Sequence, residues 1–174
     1  MWSFFKTIFA HSGTTVPLSH IAADSEIIVL GQLIDEKIKK LFNGSLAIRQ
    51  VDAGSDNACE QELAALGNAY YDVERFGIHF VASPRHADML MVTGPVSRNS
   101  AEALKRAYEA TPDPKIVVAV GDGAINGGIY RGSYAVMDGV DQVIPVHFCI
   151  PGDPPSPRQI LRGLLEILGT LSSQ

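Results

Sequence analysis

Three glycine- and proline-rich stretches carry the side chains able to do chemistry. The first is Gly54-Ser-Asp-Asn-Ala-Cys-Glu-Gln-Glu62, the second Gly121-Asp-Gly-Ala-Ile-Asn-Gly-Gly128, the third Ile150-Pro-Gly-Asp-Pro-Pro155. Each bears an acid or a thiol: Asp56 and Cys59, Asp122, and Asp153. Carboxylates beside a thiol are a donor set for hard or borderline cations, and a place where protons can be held. Gly121 and Gly123 also suggest a nucleotide loop. The G-x-G-x-x-G spacing fails there, since the next glycines are Gly127 and Gly128, and no P-loop lysine follows. Cys59 and Cys149 are the chain's two cysteines. Two are too few for a disulfide-scaffolded secreted module and too few to hold a four-thiolate cluster.

The elements that must position these stretches are legible in the apolar pattern. The chain has 174 residues, 46% apolar and 19% charged, with a formal net charge of −5. That is one domain with a real core, without the basic face of a nucleic-acid binder. Ile27, Leu30, Ile34, Ile38 and Leu41 recur at helical spacing and predict a helix over about 26–42. Strands are expected at Leu46–Val51, Ile78–Val81, Met89–Val92 and Ile116–Val120. Another is expected at Val143–Phe148, which Pro145 pushes towards a sheet edge. Helices are expected from near Cys59 through Leu63, Leu66 and Tyr70, over about 98–110, and from Ser156-Pro157 along Ile160 to Leu168. Strands alternating with helices make an α/β fold, a small parallel sheet flanked by helices in the flavodoxin-like manner. Sites in such sheets form beyond the carboxyl ends of the strands, so the three stretches are expected to converge there.

Residues 1–24 read as an N-terminal extension to a domain of residues 25–174. Trp2, Phe4, Phe5 and Phe9 crowd its first nine positions, and Gly13 and Pro17 mark a linker. An amphipathic contact with a membrane or partner surface is the expected use, although Lys6 is the one charge in the opening ten residues. No stretch is apolar enough to span a bilayer.

Further motifs carry a resemblance. Glu74-Arg-Phe-Gly77, Ser83-Pro-Arg-His-Ala-Asp88, Gly94, Pro112-Asp-Pro-Lys115, Asn126-Gly-Gly-Ile-Tyr130, Gly139-Val-Asp141, Pro145-Val146 and the Pro-Gly-x-Pro-Pro run ending at Pro155 occur in order. Together they resemble the iron–sulfur small subunit of energy-converting membrane-bound [NiFe] hydrogenases and formate hydrogenlyases, and the homologous B subunit of NADH:quinone oxidoreductase (complex I). The likeness covers roughly residues 45–170. It implies a [4Fe–4S] cluster held by four cysteines, whose positions here are Asp56, Cys59, Gly123 and Asp153. Cys59 alone is a cysteine, and Cys149 lies four residues before Asp153.

Iron–sulfur clusters select soft thiolates, so the expectation is that no cluster is bound. An Asp56/Cys59/Asp122/Asp153 group is the alternative set for Zn²⁺ or Fe²⁺, and a cluster with aspartate ligands is a further alternative. The resemblance also places Glu62 beside the site as a proton carrier. Asp56 suits a helix cap, Arg85 is a candidate ion-pair partner for the acids, and His86 and His147 are expected to be structural. The implied function is that of a subunit on the cytoplasmic side of the cell membrane. It would join a hydrogenase-like large subunit to membrane subunits in a complex coupled to ion translocation, and would not be catalytic alone. Two alternatives stand beside this: a redox-active small subunit with an Asp/Cys-ligated cluster, and a stand-alone α/β ligand-binding module.

Overall fold

The computed structural model describes residues 25–173. The expectations for the N-terminal segment, residues 1–24, lie outside the described residues. Helix α1 (Ser25–Phe42) leads into strand β1 (Leu46–Asp52), helix α2 (Ala58–Ala65), and strands β2 (Ile78–Phe80) and β3 (Met89–Thr93). Helix α3 (Ala101–Ala110), strand β4 (Ile116–Val120), short helix α4 (Asp122–Asn126), strand β5 (Phe148–Ile150) and helix α5 (Pro157–Leu171) follow. The five strands form one sheet in the order β2-β1-β3-β4-β5, and every pairing is parallel. This is the flavodoxin-type doubly wound order, so the α/β fold read from the sequence is the observed one.

The sheet is covered on both sides, which is why its central strands are continuous apolar runs. All five residues of β3 are buried. On one face Ile48, Met89, Met91, Val118 and Val120 pack against Ile34 and Ile38 of α1, Leu63 of α2, and Ile160, Leu164 and Leu168 of α5. On the other, Leu90, Val92, Val117 and Ala119 meet Leu104 of α3, Ala124 of α4, and Val140 and Ile144. The buried residues of α1 (Ile27, Gly31, Ile34 and Ile38) fall on one stripe, as a period of 3.6 requires. Helix α5 starts as its sequence directs: Ser156 Oγ accepts the Gln159 N–H, Gln159 Oε1 accepts the Ser156 N–H at 2.8 Å, and Pro157 occupies the first turn. That capping box satisfies donors the helix itself leaves open.

Two elements differ from expectation. The helix after β1 stops at Ala65 instead of running on to Tyr70. Asn68 accounts for the stop, its Oδ1 accepting the N–H groups of Tyr70 and Tyr71 at 2.9 and 3.0 Å, a local bond that competes with helix. The last strand is Phe148–Ile150, not Val143–Phe148. Pro145 has no N–H to give a ladder, and Val140–Gln142 form a 3₁₀ turn. His147 bridges the gap: its N–H donates to Val117 O, and its Nδ1 accepts the Val117 N–H, each at 2.9 Å. The imidazole thus stands in for a strand carbonyl at the start of the β4–β5 pairing, which is the structural role expected of this histidine.

Candidate functional site

The strand order reverses at β1 and β3, and the loops leaving the carboxyl ends there and at β4 and β5 enclose one cavity. Its lining is Ser55, Asp56 and Cys59 after β1, Gly94 and Pro95 after β3, Gly123 and Gly128–Tyr130 after β4, and Asp153 after β5. All four positions singled out by the resemblance (Asp56, Cys59, Gly123, Asp153) are therefore brought together. The β3 loop is a fourth contributor that the sequence reading did not name.

The loop carrying Asp56 and Cys59 is tied down at several points. Asp52 Oδ1 accepts the N–H groups of Gly54 and Ser55 at 2.8 and 2.9 Å, and Ser55 Oγ accepts the Asn57 N–H at 3.0 Å. Asp56 Oδ1 accepts the Ala58 N–H at 3.1 Å, so Asp56 does serve the start of α2 while its exposed carboxylate borders the cavity. Glu60 accepts hydrogen bonds from the hydroxyls of Ser55 and of fully buried Thr93. One carboxylate thereby clamps the loop onto the end of β3. No sequence motif announced Glu60; the pairing depends on residues more than thirty positions apart.

Cys59 sits at the back, 8% exposed. Its sulfur rests against the backbone of Gly121, where a Cβ would lie 2.4 Å from Sγ and where φ is +88°, so only glycine fits that turn. Burial pushes the Cys59 thiol up to about 11, and the negative charges of Glu60, Asp56, Asp153 and Asp122 add to the effect. Cys59 is thus held as a thiol at neutral pH and is a weak nucleophile.

Asp122 is brought near but turned to another task. Its Oδ1 accepts the Gly152 N–H at 3.0 Å and its N–H donates to Gly152 O at 2.8 Å, which staples the β4 and β5 loops together. It does not line the cavity, and among the described residues no group of three or more His, Cys, Asp or Glu is placed to hold a metal ion. Of the Asp56/Cys59/Asp122/Asp153 set, three line the cavity, while Asp122 Oδ1 is engaged with the loop backbone. Glu62 is not among the lining residues either. Arg85 is exposed in the 3₁₀ turn Pro84–His86 and, among the described residues, pairs with none of these acids.

Gly123 differs from Gly121. Its φ is outside the left-handed region, and a Cβ would stand 3.1 Å from Pro95 Cδ and 3.2 Å from Pro95 N. A side chain there is tight but not forbidden, so the backbone does not demand glycine.

The sequence profile of the NADH ubiquinone oxidoreductase 20 kDa subunit family matches residues 57–167. The chain belongs to that family. Among its relatives, the probable membrane-bound hydrogenase subunit mbhJ of Pyrococcus furiosus is 44% identical, over 76% of this chain and 80% of its own length. Formate hydrogenlyase subunit 7 of Escherichia coli is 39% identical, over 94% of this chain and 61% of its own. A solved chain from the membrane-bound sulfane sulfur reductase, an archaeal respiratory membrane complex, superposes with a TM-score of 0.67 and 34% identity. That match covers 82% of this chain and 76% of the other. The resemblance implies a [4Fe–4S] cluster at Asp56, Cys59, Gly123 and Asp153. A [4Fe–4S] centre takes four thiolates as a rule; these four positions offer one thiol, two carboxylates and, at Gly123, no side chain. The donor set does not fit the group.

Proposed function

We propose that this chain is a peripheral, cytoplasm-facing subunit of a membrane-bound complex related to energy-converting hydrogenases and complex I, one that works without the electron-transfer cluster. Its role is then structural coupling: it joins a hydrogenase-like large subunit to the membrane subunits. The observation that carries this reading is the cavity where β1, β3, β4 and β5 end. It keeps the arrangement of a ligand site, yet its donors are one thiol and two hard carboxylates. Soft cluster iron has too few partners there. Supporting the peripheral placement, no helix among the described residues is long and apolar enough to cross a membrane, and the relatives include named subunits of membrane-bound complexes.

The test is metal analysis of the whole chain, prepared anaerobically with iron and sulfide supplied, and of the complex that contains it. The expected result is no iron or acid-labile sulfide bound by this chain and no EPR signal from it on reduction. About four irons and four sulfides per chain, with a matching signal, would overturn the reading in favour of a cluster with aspartate ligands.

A further inference from the structure

Two strands of the sheet begin on the same pair of hydrogen bonds, made with different side chains. Ahead of β3, the Asp88 N–H donates to Ala47 O at 2.8 Å, and Asp88 Oδ2 accepts the Ala47 N–H at 2.9 Å. Ahead of β5, the His147 N–H donates to Val117 O, and His147 Nδ1 accepts the Val117 N–H, each at 2.9 Å. In both, a side chain supplies the acceptor that a peptide carbonyl gives elsewhere in the ladder. The two acceptors answer differently to protons. An ordinary carboxylate accepts at every pH above about 4, whereas an imidazole accepts at Nδ1 only while that nitrogen is bare. Histidine takes up its proton at about pH 6.5 when unperturbed.

The bond matters more at β5 than at β3. Strand β3 lies inside the sheet, with β1 and β4 on either side. Strand β5 is an edge of three residues, paired with β4 through Val118–Phe148, Ala119–Cys149 and Val120–Ile150. From Ile150 the chain enters the loop that carries Asp153. That loop is tied to the end of β4 by the Gly121 N–H on Ile150 O and the Asp122 N–H on Gly152 O, each at 2.8 Å. An imidazolium at position 147 would turn a donor towards the Val117 N–H, so the ring must leave it. Val117 is fully buried, and a buried N–H without an acceptor is costly. Charged groups on the neighbouring elements are Lys115 and Asp113 ahead of β4, Asp141 in the 3₁₀ turn Val140–Gln142, and Arg158, Arg162 and Glu166 on α5. Lys115 is engaged with Tyr108 O, Thr111 O and Asp113, and both arginines pair with Glu26. Among the described residues none of the six forms an ion pair with His147. Only histidine among these side-chain types ordinarily changes charge between pH 5 and 8 or thereabouts.

We propose that His147 is a proton-operated latch on β5. Neutral, it closes a fourth rung of the β4–β5 pairing. Protonated, it releases the Val117 N–H and loosens the strand that delivers the Asp153 loop to the cavity. The stabilisation is complete above the histidine range and is lost as pH falls through it, because the bond exists only in the deprotonated form.

The test is amide exchange of the full chain, followed by NMR from about pH 8 to 5 and corrected for the intrinsic exchange rate. Protection at Val117 is expected to fall by about three- to tenfold through the histidine range, which is what one backbone hydrogen bond is worth. Gly121 and Asp122, whose N–H groups hold the β5 loop, are expected to fall with it. Ala47, held by the Asp88 carboxylate, is expected to show no step. The variant H147D gives β5 the acceptor that β3 already uses and leaves His79 and His86 in place; it is expected to abolish the step at Val117. Ring ¹⁵N shifts of His147 in the wild type are expected to show a bare Nδ1 at high pH and its protonation at the midpoint of the Val117 step. Those shifts decide the matter should H147D fail to fold. Flat protection at Val117, a step that survives in H147D, an equal step at Ala47, or a ring midpoint apart from the Val117 midpoint would each overturn the proposal. A step at Val117 with Gly121 and Asp122 unmoved would overturn the latch's hold on the Asp153 loop.

Discussion

Alkylation of Cys59, followed in a Cys149→Ser background, is expected to rise with pH to a midpoint near 11. Burial and the surrounding carboxylates move the thiol from 9.0 to about 11, so at neutral pH there is about a hundredfold less thiolate than at an ordinary cysteine. Each thiolate is intrinsically more nucleophilic as its pKa rises, which returns a factor of about eight. The net rate at pH 7 should therefore be about tenfold below that of a free cysteine, before restricted access slows it further. D56N/D153N removes two of the repelling charges and is expected to lower the midpoint. It should not restore the ordinary value, because burial is the largest cause. The same shift has a linkage consequence. A thiol pKa raised by folding stabilises the protein below the unfolded value, and that contribution disappears as pH climbs from about 9 through 11. The loss is at most about 3 kcal/mol, because one pKa unit is worth about 1.4 kcal/mol. The assay is iodoacetamide labelling read by mass spectrometry across pH 6 to 12, flanked by denaturant titrations at the two ends. A midpoint near 9 in the wild type, or one that ignores D56N/D153N, would refute the reasoning about this site's electrostatics.

Two further outcomes follow from the geometry. Gly121→Ala places a methyl 2.4 Å from Cys59 Sγ at a left-handed φ and should destabilise the chain by about 2–4 kcal/mol, seen as a lowered urea midpoint. His147→Phe leaves the Val117 N–H without the Nδ1 acceptor it has at 2.9 Å. It should cost about 1–3 kcal/mol, with faster amide exchange at Val117 as the local signature; an exchange rate equal to wild type would show that another acceptor takes over.

Much of the architecture was legible because it rests on local chemistry. The apolar runs at Met89–Val92 and Ile116–Val120 are long enough and pure enough to be doubly covered strands, and Ser156-Pro157 with Gln159 is a helix start written in consecutive residues. The boundaries that slipped were decided at a distance or by a single competing side chain. Asn68 ended α2 before Tyr70 by capturing two backbone donors. The last strand moved past His147 because the Val117 N–H donates to an imidazole in place of a peptide carbonyl, thirty residues away in sequence.

At the site the division is sharper. By itself the sequence determined that the loops after the strands would hold Asp56, Cys59, Gly123 and Asp153, since parallel topology sends every strand's carboxyl end to one edge and residue identity sets the donors. It also determined that Cys59 alone is a thiol among the four positions the resemblance marks. Tertiary structure alone decided how the remaining groups are employed. Asp122 stands in sequence beside Gly123, as able a ligand as any, yet it faces the Gly152 backbone. Glu60, unremarked among the loop acids, closes onto Ser55 and Thr93. Which carboxylate staples loops and which one faces open solvent depends on the direction each side chain takes when two strand ends meet. A linear order of residues does not carry that direction.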